Sequence, residues 1–195
     1  MSTATTSTTT WAAVAALGLV SAVVLVGGAM NLDASQVDGP PPGMASETGD
    51  AAPFTGASGG CTLSDPTGTG GCVTPAMAWT LAEINAHFGK QPASCWSARG
   101  GDPHSDHPKG RACDITFGTI GKYPDDADTA RGWTLATWLV DNADALHVSY
   151  VIWQGHIWST SRSKEGWRIY TGGGVYNPTG PTGGHYDHVH VSVLP

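Results

Sequence analysis

The segment Val148-Ser-Tyr-Val-Ile-Trp153-Gln-Gly-His156-Ile-Trp158 reads as two strands joined by a two-residue turn. Its β-branched and aromatic residues favour a pleated, half-buried surface, and Gln154-Gly155 suits a tight hairpin. Working outward, His188-Val-His-Val-Ser-Val193 alternates strictly. Side chains on a strand point to opposite faces in turn, so His188, His190 and Ser192 share one face. Val189, Val191 and Val193 share the other, the expected core face. Arg111–Phe117 sorts in the same way, with Ala112, Asp114 and Thr116 against Cys113, Ile115 and Phe117. Ser94–Ala98 is a further candidate strand. Thr74-Pro75 offers an N-cap and a first-turn proline. Met77, Leu81, Ile84 and Phe88 then recur at helical spacing before Gly89. A second helix is expected from about Asp128 to Ala145, with Leu135, Trp138 and Leu139 inward. Helices mixed with antiparallel hairpins predict an α+β domain, a small antiparallel sheet with flanking helices, over residues 72–195.

The residues before this domain have a different composition. Trp11–Met30 is an uncharged apolar run in which Ser21 is the only polar side chain, and about 20 such residues suffice to span a bilayer as a helix. Residues 1–30 are therefore read as a membrane anchor or a signal segment. The flank MSTATTSTTT lacks the basic n-region of a signal peptide, which favours the anchor. Residues 31–71, rich in Gly, Pro, Ser and Thr, read as a flexible linker. Net charge is −7, with only 9 Lys and Arg, the first being Lys90. Nucleic acid is not an expected partner, because phosphate backbones are held through basic side chains. No glycine-rich phosphate loop appears. Cys61, Cys72, Cys95 and Cys113 form an even set, consistent with disulfides outside the cytosol.

Two segments hold most of the side chains able to do chemistry: Asp102-Pro-His-Ser-Asp-His-Pro-Lys-Gly-Arg-Ala-Cys-Asp114 and His185-Tyr-Asp-His-Val-His190. Together they contain five of the eight histidines. Imidazole and carboxylate suit zinc, whose catalytic sites use three protein ligands and leave a position open. Spacing alone does not choose between His104 and His107, or among His185, His188 and His190.

Ser105-Asp-His107-Pro-Lys-Gly110-Arg-Ala112-Cys-Asp114 resembles the Ser-x-His-x-x-Gly-x-Ala-x-Asp motif of the D-Ala-D-Ala metallopeptidase and hedgehog superfamily. Asp187-His-Val-His190 is similar to that superfamily's second motif, an acidic residue three positions before a ligand histidine. The phrases Tyr150–Trp153 and Asp187–Ser192 also resemble secreted proteins of actinobacteria and mycobacteriophages. The resemblance implies a hedgehog-like fold over about residues 75–195, with Zn2+ held by His107, Asp114 and His190. It implies Asp187 as general base, with His188 near the scissile amide as oxyanion stabiliser or proton donor. Arg99 is implied to stabilise negative charge or hold a substrate carboxylate, with a surface salt bridge as its plainer alternative. Ser105 is expected to orient the ligand loop, and Gly110 to serve backbone geometry. Asp187 departs from the frequent Glu, and alternation sets it opposite His190. Either the strand begins after Asp187 or a bulge re-aims it; otherwise His185 is the better base. Cys113 is unusual within the motif. Alternation turns it from the metal, so it is read as a disulfide partner of Cys95, leaving Cys61 for Cys72. An added Cys ligand is the alternative.

The expected function is that of a monomeric zinc metallopeptidase outside the membrane, cutting amide bonds in peptidoglycan stem peptides as a D,D-carboxypeptidase or endopeptidase. A non-catalytic, zinc-stabilised cell-wall binding module is the alternative, and a metal-free structural domain is a third reading. The seven tryptophans from Trp79 to Trp167 are expected mostly in the core, with one or two lining a substrate groove.

Overall fold

The computed structural model describes Met1 and residues 49–195. The expected anchor or signal segment and the linker up to residue 48 lie outside the described residues. Among those described, no helix is long and apolar enough to cross a membrane.

The fold is α+β. A two-stranded sheet pairs β1 (Leu63–Ser64) with β2 (Cys72–Val73). A six-stranded antiparallel sheet contains β3 (Ala93–Ser94), β4 (Ala112–Thr116), β5 (Val148–Trp153), β6 (His156–Ser159), β7 (Arg168–Ile169) and β8 (His188–Val193), in the order β3-β4-β8-β5-β6-β7. The C-terminal strand therefore lies inside the sheet, between β4 and β5. All six of its residues are buried, and Val189, Val191 and Val193 are at most 1% exposed. Burying each of these side chains stabilises by about 1.5 kcal/mol or more. The β5–β6 hairpin turns at Gln154 and Gly155 with φ of 49° and 70°. Two consecutive positive φ values match the twist of the flanking strands.

Helix α1 (Pro75–Phe88) begins and ends where its signals stand. Thr74 Oγ1 accepts from the Met77 amide at 3.2 Å, and Gly89 follows with φ 72°. Met77, Leu81 and Ile84 are buried. The second expected helix divides into α2 (Asp126–Asp141) and α3 (Ala143–Leu146). Asn142 makes the break: its side chain donates to the Trp138 carbonyl at 2.9 Å and accepts from the Ala51 amide at 2.7 Å. Helix α2 lies close on β5 at Gly132, where an added Cβ would run into the Trp153 ring.

The expected strand Ser94–Ala98 is shorter than the spacing suggested and pairs only through Ser94. Beyond it, the amides of Cys95 and Trp96 donate to side-chain oxygens of Thr67 and Asp65 instead of a neighbouring strand. The boundary at residue 71 also moves. Residues 49–71, expected as part of the linker, are fastened to the domain. Gly49 accepts from the Trp138 indole at 2.8 Å, the Phe54 amide donates to Ala145 at 2.8 Å, and the Phe54 ring packs against Trp79 and His147. Their composition hid this, because the attachment runs mainly through backbone groups.

Both disulfides join the partners expected, Cys61 to Cys72 and Cys95 to Cys113. They close 11- and 18-residue separations, and each restricts the unfolded chain by roughly 2–4 kcal/mol. They place the domain in an oxidising, extracytoplasmic environment.

Candidate metal centre

His107, Asp114 and His190 come together, each offering one ligand atom within 4.8 Å of the others. Strand register does most of this. Asp114 on β4 and His190 on β8 are direct cross-strand partners and so share a face. Ile152 on β5 partners His190 from the other side, and Tyr150 partners Ser192, extending that face across three strands.

His107 arrives from a 3-10 turn, His107–Lys109, rather than from a strand. Pro108 stiffens the turn, and Gly110 ends it with φ 67°. A Cβ on Gly110 would meet Cys61 Sγ and, at 2.6 Å, the Cys72 carbonyl. The backbone requires glycine there, as expected. Ser105 Oγ accepts from the His107 amide at 3.3 Å, and Asp106 ties the turn to Arg111 at 2.5 Å and Lys109 at 3.3 Å. His104 is exposed on the same loop, so the structure chooses His107 over His104.

The proton positions in the cluster follow from its hydrogen bonds. His107 Nδ1 lies 2.5 Å from the Cys95 carbonyl. A carbonyl only accepts, so Nδ1 carries a proton. The other ring nitrogen, Nε2, stands 3.2 Å from Asp114 Oδ1. His188 Nδ1 donates to Asp187 Oδ1 at 2.6 Å, which turns Nε2 to 3.6 Å from the same Asp114 oxygen. His190 Nδ1 lies 2.9 Å from that oxygen, and its Nε2 lies 3.0 Å from Ser192 Oγ. Three imidazoles thus surround one carboxylate oxygen, and His107, Asp114 and His190 among them could hold a metal ion. Arg99 answers part of this charge, its Nη2 lying 2.6 Å from Asp114 Oδ2 and 3.3 Å from His107 Nε2. Arg99 is therefore part of the centre rather than of a surface pair. The donor set, two imidazoles and a carboxylate, can hold a metal ion and leave coordination positions free.

Burial opposes ionisation of Asp114, but the charge of His188 and hydrogen bonds from His107 and His190 hold its carboxyl well below the usual range. Burial, with repulsion from the neighbouring imidazoles, pushes His185 well down, and burial also lowers His190. Both therefore stay neutral near pH 7, the form that binds metals. Burial alone would lower His188, but Asp114 and then Asp187 outweigh it and raise it.

Asp187 sits one residue before β8, so the strand does begin after it. It is wholly buried. One oxygen takes the His188 proton, and the other accepts from Thr182 Oγ1 and the Gly121 amide, each at 2.6 Å. It reaches the centre through His188 rather than directly. His185, with φ 57°, packs its ring 4.6 Å from that of His188, and its buried Nδ1 has no hydrogen-bond partner among the described residues.

The centre floors a cavity of about 230 Å³, bordered by Arg99, Asp102 and His185 and walled by Tyr150, Tyr170 and Tyr176. Tyr150 stacks on His190 with ring centroids 5.2 Å apart. Burial raises the Tyr150 hydroxyl and pushes that of Tyr170 up to about 12. Among the described residues, no tryptophan borders this cavity. Trp133, Trp138, Trp153 and Trp158 are in the core instead. The tyrosine wall was missed in the sequence, although Tyr150 follows from alternation once β5 is known to lie beside β8. Tyr170 and Tyr176 sit on a Gly-rich loop without periodicity.

Comparison with curated proteins and with solved structures returns no match. A family model described as "VldE, C-terminal domain" matches residues 69–185. The match covers more than half of the 195-residue chain and contains Arg99, His107, Asp114 and His185. On that extent of agreement, the chain belongs to the VldE C-terminal domain family.

Proposed function

We propose that this domain is a zinc-dependent peptidase of the D-Ala-D-Ala metallopeptidase type. It would hydrolyse amide bonds in peptidoglycan stem peptides outside the membrane, in the cell wall or tethered through residues 11–30. The observation that carries the reading is the convergence of His107, Asp114 and His190 at the floor of a cavity, on the residues that resemble that superfamily's motifs. Zinc, when bound, supplies a Lewis acid that polarises a carbonyl and acidifies water. His188 presents Nε2 to the same cavity. It takes the proton from the attacking water and returns it to the departing amine as the C–N bond breaks. Asp187 holds His188 Nδ1–H and keeps that tautomer, so the base role expected of Asp187 passes to His188 with Asp187 as its positioning partner. Arg99, already drawn to negative charge at 2.6 Å, steadies the developing oxyanion or a substrate carboxylate.

One observation favours the non-catalytic wall-binding module: both Asp187 oxygens are taken up by hydrogen bonds, and Asp187 does not line the cavity. The experiment uses the full chain, purified with its disulfides intact, and measures bound zinc and cleavage of defined muropeptides. About one zinc per chain with hydrolysis, both lost in His190→Ala, supports the peptidase. Zinc without turnover on any muropeptide supports the module, and a folded protein without zinc removes both.

A further inference from the structure

The Cys61–Cys72 loop lies outside the site, yet it reaches the centre through a single peptide group. Asp65 is buried within this loop. Its Oδ1 accepts from the Thr67 amide at 2.8 Å and from Thr67 Oγ1 at 2.6 Å. Its Oδ2 accepts from Thr69 Oγ1 and from the Trp96 amide at 2.8 Å. Thr67 Oγ1 in turn accepts from the Cys95 amide at 3.1 Å. The Trp96 N–H and the Cys95 C=O are the two ends of one peptide unit, and that C=O accepts from His107 Nδ1 at 2.5 Å.

A peptide unit is planar and trans, so its N–H and C=O point in opposite directions and turn together. Anchoring the N–H on a carboxylate fixes the direction of the carbonyl. A negative acceptor at the N–H also polarises the unit and makes its oxygen a stronger acceptor. Histidine ligands owe orientation and basicity to the group that holds their other nitrogen. Here that group is a carbonyl braced from behind by a carboxylate.

We propose that Asp65 is a positioning residue for the metal centre, acting on His107 through the Cys95–Trp96 peptide. The proposal rests on the metal-centre reading above. The disulfide that closes this loop borders the turn that carries His107: Gly110 sits against Cys61 and Cys72, and just beyond the loop the Thr74 amide donates to the Gly110 carbonyl at 2.9 Å. A loop serving only its own turn would need neither its carboxylate on Trp96 nor its hydroxyl on Cys95.

The test compares the full-length wild type with Asp65→Asn, which keeps the shape and removes the charge, and with Asp65→Ala. Three quantities are read: thermal melting of the metal-free protein, zinc affinity by chelator competition, and the His107 Nδ1–H proton resonance in the metal-free protein. The expected result is an upfield shift of that resonance in Asp65→Asn. Zinc affinity should fall about tenfold, the lower end for outer-shell partners, and further in Asp65→Ala, while Asp65→Asn stays folded. Lower melting with an unmoved His107 resonance and unchanged zinc affinity would overturn the proposal and leave Asp65 a turn residue. If the wild type takes up no zinc, the metal reading fails by itself, and the resonance still decides whether Asp65 acts on His107.

Discussion

Asp114 and His190 stand opposite each other on neighbouring strands at the middle of the sheet, whereas His107, Arg99 and Asp187 stand on loops. The two strand residues are placed by backbone pairing that is repeated along β4 and β8 and backed by buried valines. The loop residues are held by individual hydrogen bonds: His107 donates to the Cys95 carbonyl, Arg99 donates to Asp114, and Asp187 accepts from Gly121 and Thr182. A site built this way combines a stiff floor with a wall whose parts can be detached one at a time.

That contrast can be broken most forcefully at its floor. Asp114→Ala removes the carboxylate on which His107, His188, His190 and Arg99 converge. Metal affinity should fall by more than the roughly 100-fold seen for outer-shell losses, as measured by metal content and chelator competition. Retained stoichiometric metal would show that the floor is not the centre. The wall is tested next by Asp187→Ala, which should keep the metal while muropeptide turnover falls about 100-fold or more through loss of the His188 tautomer. Unchanged turnover would mean that His188 needs no partner.

Gly110→Ala probes the turn that carries His107. The left-handed backbone alone should cost about 1–3 kcal/mol, with more from contact with Cys61 and Cys72, read by denaturant unfolding with disulfides intact. The smallest effect is expected from the pH dependence of Asp65. Burial opposes its ionisation, but hydrogen bonds from Thr67, Thr69 and Trp96 hold it below the ordinary carboxylate value. A depressed folded value contributes stability that is full above the unfolded pKa and is lost as pH falls through the folded one. The melting difference between wild type and Asp65→Asn should therefore narrow as pH drops below about 4. A constant difference would show that the charge of Asp65 contributes nothing to folding.

The parts of the site that could be read directly were those with a period. Alternation in His188–Val193 and Arg111–Phe117 put His190 and Asp114 on matching faces, and both strands formed as expected. Thr74-Pro75 and Gly89 bounded α1 for local reasons, a side-chain cap and a positive φ. Asp187 was harder. Alternation showed that it could not share a face with His190 inside a strand, and the strand indeed starts at His188. Nothing in the spacing pointed to Thr182 and Gly121, which take up its second oxygen. The tyrosine wall and the brace at Asp65 lie in Gly- and Thr-rich loops whose composition resembled a linker.

By itself, then, the sequence determined the α+β class, the hairpin, the first helix and the residue types of the centre. Each depends on interactions between positions a few residues apart. Spacing left His104 and His107 open and the motif resemblance implied His107, which the tertiary structure brings to the centre. Only the tertiary structure decided that Asp187 is bonded to His188 and that residues 49–71 belong to the domain. These outcomes depend on hydrogen bonds across long separations, such as Asp65 to Trp96 and Gly121 to Asp187. A buried polar group must find a partner wherever the folded chain brings one, and no local pattern records where that is.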